Sequence, residues 1–175
     1  MMFDSNTITA SFWYWLALFI FGILLEAVAL VYQYWLDYLP CVLCIHTRML
    51  VFAALVVSAL MLWGRSIRMF RLGAHLLLIV IWAALTERSW QLLATERRWS
   101  IGECSMDSGL PGWIPLERMM PWLFRIEEPC GYTPEMLFGV TMAEALIVLA
   151  PSMTLAMAVM LIRSETLKRQ SPSQE

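Results

Sequence analysis

The chain has 175 residues, of which 60% are hydrophobic and 15% charged, with a mean hydropathy of +0.66 and a formal net charge of −2. Soluble globular domains carry about 25% charged residues, so this composition excludes an ordinary water-soluble fold and predicts an integral membrane protein. The absence of a basic stripe interleaved with aromatics excludes a nucleic-acid-binding module.

A helix that crosses a bilayer needs roughly 20 mostly apolar residues, and four stretches meet that length. The first, 12–32, contains a single charge, Glu26. A carboxyl inside a span is costly, so Glu26 is read either as functional or as a neutral acid hydrogen-bonded between helices. Ala27-Val28-Ala29 has the small-x-small form of a signal cleavage site, but residues 1–11 hold no Lys or Arg, and a retained span is expected. Residues 33–44 follow without Lys or Arg and lead into the stretch PCVLCIHTR at 40–48. The second span is 45–63. Pro40 breaks the chain before it, so its helix should start at about Cys41 and hold Cys44 in the first turn.

The connection at 64–71 carries Arg65, Arg68 and Arg71, which by the positive-inside rule puts it in the cytoplasm. A third span, 72–94, runs on through Glu87 and Arg88. Beyond it lies a loop, 95–136, in which Arg97, Arg98, Arg118 and Arg125 are outnumbered by acidic residues. The fourth span, 137–162, carries Glu144 near its start and Pro151 in its middle, where a kink is expected. Arg163, Lys168 and Arg169 mark the following end as cytoplasmic, with a polar, disordered tail at 164–175. Trp13, Trp15, Trp35, Trp63 and Trp90 fall near span ends, as an interfacial belt requires. The expected architecture is an all-α, four-transmembrane-helix bundle, one domain over 1–163, with both termini cytoplasmic and two extracytoplasmic cysteine-bearing loops.

That topology sorts the four cysteines. Cys41 and Cys44 follow the first span, Cys104 and Cys130 the third, so both pairs lie on the extracytoplasmic face, where disulfides persist. Two pairs with none left over read as two disulfides. Cys104 and Cys130 bracket a segment holding Pro111, Pro115, Pro121 and Pro129, and a bridge there would at least staple the loop, by about 3 kcal/mol on the chain-entropy model. The C-x-x-C pair closes too small a loop to stabilise much; its spacing is that of thiol–disulfide chemistry, in which a helix N-terminus stabilises a thiolate. A zinc site built from all four cysteines is the alternative, although structural zinc usually takes two close pairs.

Arg48 lies four residues after Cys44 on the same helical face and carries a permanent positive charge; an arginine snorkelling to headgroups is the plainer reading. His46 points elsewhere and reads as interfacial. The sequence has no G-x-G-x-x-G fingerprint, no C-x-x-C-H haem site and no further cysteine for a cluster. Electrons leaving the thiols therefore need an acceptor from the membrane, and a quinone headgroup against Cys44 and Arg48 fits.

In these features the chain resembles the DsbB family of membrane disulfide-bond formation proteins. The resemblance rests on L-E-x-x-A-L-x-x-Q at 25–33, which holds Glu26 and Gln33, on P-C-V-L-C-I-x-x-R at 40–48, on Arg88 with Gln91, and on P-x-W-x-P-L at 111–116. It implies a quinone-dependent oxidoreductase of the bacterial inner membrane, in which Cys104 and Cys130 oxidise a periplasmic DsbA-like, thioredoxin-fold partner. Electrons then pass to Cys41 and Cys44 and on to ubiquinone or menaquinone. It further implies that Cys104 pairs with Cys130 and Cys41 with Cys44 in the oxidised enzyme, that the partner attacks Cys104, and that the released Cys130 attacks Cys41. A DsbA-like partner is itself a strong oxidant, so the quinone has to supply the driving force.

The chain departs from the family pattern in three places. His46-Thr47 stands where Tyr-Glu is expected, Glu96-Arg97 where a quinone-side histidine often occurs, and Gly-Tyr-Thr-Pro at 131–134 where a tryptophan-containing segment is expected. A vitamin K epoxide reductase-like enzyme is the nearest rival, but there the loop cysteines precede the C-x-x-C pair, the reverse of the order here. Residues 111–124 set Trp113, Ile114, Leu116, Met119, Met120, Trp122 and Leu123 beside Glu117 and Arg118. They read as an amphipathic segment lying on the membrane surface, or as a packed or partner-binding loop. From other classes, a non-enzymatic membrane scaffold with structural disulfides would exchange nothing with thiols, and a metal transporter would bind zinc through the reduced cysteines.

Overall fold

The computed structural model describes residues 5–99, 119–128, 135–136 and 139–169. Among these every regular element is a helix: α1 (Ser5–Ala10), α2 (Phe12–Tyr34), α3 (Val42–Gly64), α4 (Arg68–Glu96), α5 (Pro121–Phe124) and α6 (Met142–Arg169). Four of them, α2, α3, α4 and the Met142–Ser164 part of α6, are long and apolar enough to cross a membrane. They pack in chain order, α2 on α3, α3 on α4 and α4 on α6, and α1 returns against α6. The result is the expected four-helix membrane bundle.

The ends of the helices differ from expectation. Arg68 and Arg71 belong to α4, which starts at 68 and not 72. Long basic side chains at a helix end keep their charge outside while their stems stay with the span, and Arg71 Nη1 reaches back to the Arg65 carbonyl at 2.8 Å. α6 starts at 142 and not 137, because Thr141 and Glu144 form a capping box: Glu144 N–H donates to Thr141 Oγ1 at 3.3 Å, and Thr141 N–H to Glu144 Oε2 at 3.1 Å. It continues unbroken through Pro151 to Arg169, so residues 164–169 are helical where a disordered tail was expected.

On α2 the buried residues are Trp15, Gly22, Glu26 and Gln33, one stripe along the helix. Ile20, Ile23, Leu24 and Val31 face outward, toward lipid tails that are as apolar as they are. Gly22 sets how closely α2 approaches α3, since a Cβ there would stand 3.2 Å from Leu55 Cβ. Trp15 is not part of an aromatic belt. It is 0% exposed, sits in the main core with Leu78, Trp82 and Met157, and donates from Nε1 to the Thr9 carbonyl at 2.8 Å, tying α1 to α2. Trp13, Trp35, Trp63 and Trp90 are exposed, as a belt requires.

Glu96 and Arg97, one of the departures from the family pattern, brace α4 to the start of α6. Thr141 Oγ1 donates to Glu96 Oε2 at 3.2 Å, and Arg97 forms an ion pair with Glu144.

Candidate functional site

Cys41 is extended (φ −82°, ψ 169°) and caps α3. Its sulfur accepts the Cys44 N–H at 3.3 Å, taking the place of the oxygen in an ordinary cap. Cys44 thus stands in the first helical turn, where N–H groups without intrahelical partners and the helix dipole favour a negative sulfur. The two sulfurs lie 2.7 Å apart.

The two cysteines face different surroundings. Cys41 is 2% exposed and packs with Val42, Leu43, Leu92 and Ala143. Beside it runs the segment that leads to Cys130: Glu127 and Glu128 donate their N–H groups to the Pro40 carbonyl at 3.1 and 3.4 Å, and Glu128 pairs with Cys41 in an isolated parallel bridge. Cys44 instead lines a cavity of about 300 Å³ flanked by α2 and α6. Leu25, Val28, Leu146 and Leu149 give it apolar walls, and Asp37, Tyr38 and Glu128 line its loop end.

Arg48 opens into the same cavity and is only 8% exposed. An arginine snorkelling to headgroups would be solvated; this one is held by α2. Its Nη1 donates to Gln33 Oε1 at 2.5 Å and to the Leu123 carbonyl at 3.4 Å, its Nη2 to the Ala29 carbonyl at 2.9 Å. From there it shares the cavity with Cys44 and Glu26. Glu26, Ala29 and Gln33 stand at i, i+3 and i+7, on one face of α2. Glu26 also lines the cavity, and both of its carboxyl oxygens are buried with no hydrogen-bond partner among the described residues. The interhelical hydrogen bond that a purely packing role would provide is not found there.

Arg88 and Gln91 are not among the residues that line the cavity. Arg88 Nη1 donates to Gln91 Oε1 at 3.0 Å and Gln91 Nε2 to Glu87 Oε1 at 2.9 Å, a local network along α4. Cys104, Cys130 and residues 111–118 lie outside the described residues. At the described end of the expected amphipathic segment, Leu123 and Phe124 are buried against Ile45, while Met119 and Trp122 are exposed. Tyr34 Oη fixes that end by donating to the Trp122 carbonyl at 2.7 Å.

Sequence reasoning missed Ala29 and Glu128. The first was findable, because a helical projection of 25–33 puts Ala29 between Glu26 and Gln33 on one face. The second acts through backbone pairing, which leaves no mark on side-chain pattern.

A family model described as disulfide bond formation protein DsbB matches residues 11–161. The chain belongs to the DsbB family. Among its relatives in that family, disulfide bond formation protein B of Shewanella loihica is 28% identical over 149 residues, covering 85% of this chain and 87% of the relative. Disulfide bond formation protein B 2 of Pseudomonas aeruginosa is 34% identical over 139 residues, 74% of this chain and 78% of its own. The Pasteurella multocida protein is 28% identical over 165 residues, covering 91% and 89%. As a member of the DsbB family the chain is a disulfide bond formation protein, and four of its described helices are long and apolar enough to cross a membrane.

Proposed function

We propose that this DsbB-family chain is a protein dithiol:quinone oxidoreductase of the bacterial inner membrane, with its cysteine loops in the periplasm and both termini in the cytoplasm. It reoxidises a DsbA-like, thioredoxin-fold dithiol protein. The observation that carries this reading is the different setting of the two cysteines of the C-x-x-C pair: Cys41 touches the segment leading to Cys130, and Cys44 faces a cavity flanked by α2 and α6 that holds a buried arginine.

The cavity suits a quinone. Its volume of about 300 Å³ reaches the range of roughly 300–1,000 Å³ usual for ligand pockets; its walls are apolar, and Arg48 supplies fixed donors. A bound ubiquinone or menaquinone supplies a sink for two electrons and two protons. The protein's own residues do the rest. A partner thiolate attacks Cys104 of a Cys104–Cys130 disulfide, and the freed Cys130 attacks Cys41, breaking its bond to Cys44. Release of the oxidised partner frees Cys104, which restores its bond to Cys130 and leaves Cys41 and Cys44 as a dithiol. Arg48, oriented by Gln33 and Ala29, stabilises the negative charge on Cys44 and any that develops beside it.

The test is catalytic. Purified protein given a quinone and a reduced thioredoxin-fold dithiol protein is expected to oxidise the thiols over many turnovers while consuming quinone. Thiol oxidation that ignores quinone, or no oxidation at all, overturns the reading.

A further inference from the structure

Glu26 takes no part in the electron path above, yet it is built into the same cavity as Cys44 and Arg48. It is 8% exposed, and neither carboxyl oxygen has a hydrogen-bond partner among the described residues. A buried carboxyl in that position is expensive unless something bonds to it. The groups that share the cavity with it set its task. Of the titratable and charged groups that line the cavity with it, α3 supplies Arg48, whose described hydrogen bonds go to α2 and the Leu123 carbonyl, and Cys44; α2 supplies Tyr32; the connecting loops add Asp37, Tyr38 and Glu128; α4 and α6 contribute apolar side chains only. Turning a quinone into a quinol requires a proton on each oxygen. A Cys44 thiolate has none to give and an arginine does not release one.

The geometry points to Glu26 as the acid that protonates a quinone oxygen during reduction, a role that rests on the dithiol:quinone reading and deepens it. In this step the Cys41–Cys44 bond forms and two electrons leave those sulfurs; the proton lost by the Cys41 thiol, with the one Cys44 released to water when it ionised, balances the two gained by the quinone oxygens. One of the latter is handed over by Glu26, which recovers it from water at the loop end of the cavity. The net change is dithiol plus quinone to disulfide plus quinol.

Glu26→Gln keeps the shape and hydrogen-bonding capacity but removes the transferable proton. It is expected to lower kcat for quinone-coupled thiol oxidation by about a hundredfold, with a much smaller change in KM for quinone, and Glu26→Asp to recover part of kcat. An independent readout needs no turnover: infrared difference spectra of the wild-type protein, with glutamate carboxyls labelled by carbon-13, recorded as a short-chain ubiquinone is added without thiol substrate. A label-sensitive band of a protonated carboxyl should shift on quinone binding and be missing in Glu26→Gln. No such response in the wild type, or full kcat in Glu26→Gln, overturns the proposal. If the wild type oxidises no thiol with quinone, the parent reading falls as well; if it does and Glu26→Gln equals it, the acid role alone falls.

Discussion

A guanidinium that is 8% exposed and bonded to two groups of a neighbouring helix has been placed at some cost, because a buried charge must be fully paired or solvated. Arg48→Met keeps the bulk and removes the charge. Steady-state kinetics at varied quinone should show a fall of at least about tenfold in kcat/KM, or about 1.4 kcal/mol. Arg48→Lys should recover only part, since an ammonium lacks the planar fork that spans Gln33 and Ala29. Arg48→Met should also cost roughly 1–3 kcal/mol of stability in thermal or denaturant unfolding, because Gln33 Oε1 loses its donor in a buried setting. Much of this site was legible in the sequence. Pro40 and the spacing of Cys44 and Arg48 put thiol and arginine on one face of one helix start. Arg48's partners were harder to see, because they sit on α2 and α5 and two of the three are backbone carbonyls. Trp15 was misread because a tryptophan near the end of a span looks the same whether its ring turns to headgroups or to the core.

Helix pairs hold the site in register. α2 brings Glu26, Ala29 and Gln33 to Arg48 only if it can approach α3 at Gly22, where an added Cβ would stand 3.2 Å from Leu55 Cβ. Gly22→Val should therefore lower unfolding stability by roughly 1–3 kcal/mol through overpacking and raise KM for quinone, although residue 22 does not line the cavity. A Tm loss with unchanged quinone KM would show that the approach matters for packing alone. At the other side, Thr141→Ala removes one half of the capping box at the start of α6 and should cost about 1 kcal/mol, measured by thermal unfolding. That box was present in the sequence as T-x-x-E at 141–144, and reading it would have placed the helix start where hydropathy alone put it too early. The pairing of Cys41 with Glu128 had no such signal, because two distant backbone segments meet there through N–H and C=O groups that every residue carries.

The whole molecule is a bundle whose helices pack in chain order, and the cavity follows from that order: it is flanked by α2 and α6, the first and last of the four spans. Four apolar stretches were enough to read the bundle from sequence. The cavity was not readable, because it depends on which helix pairs stay apart. The proposed orientation puts the Arg65 to Arg68 turn in the cytoplasm. A Ser66→Cys protein in spheroplasts should resist a membrane-impermeant maleimide until the membrane is opened; labelling from outside would invert the topology and place the C-x-x-C pair in the reducing compartment. The central claim, that this pair hands electrons directly to quinone, is tested most directly by a single turnover without any partner protein. Fully reduced enzyme is mixed with less than one equivalent of quinone, and quinone loss by absorbance is compared with Cys41–Cys44 disulfide mapped by mass spectrometry after acid trapping. One disulfide formed per quinone lost is the predicted result, and quinone that stays oxidised beside a reduced C-x-x-C pair would contradict it.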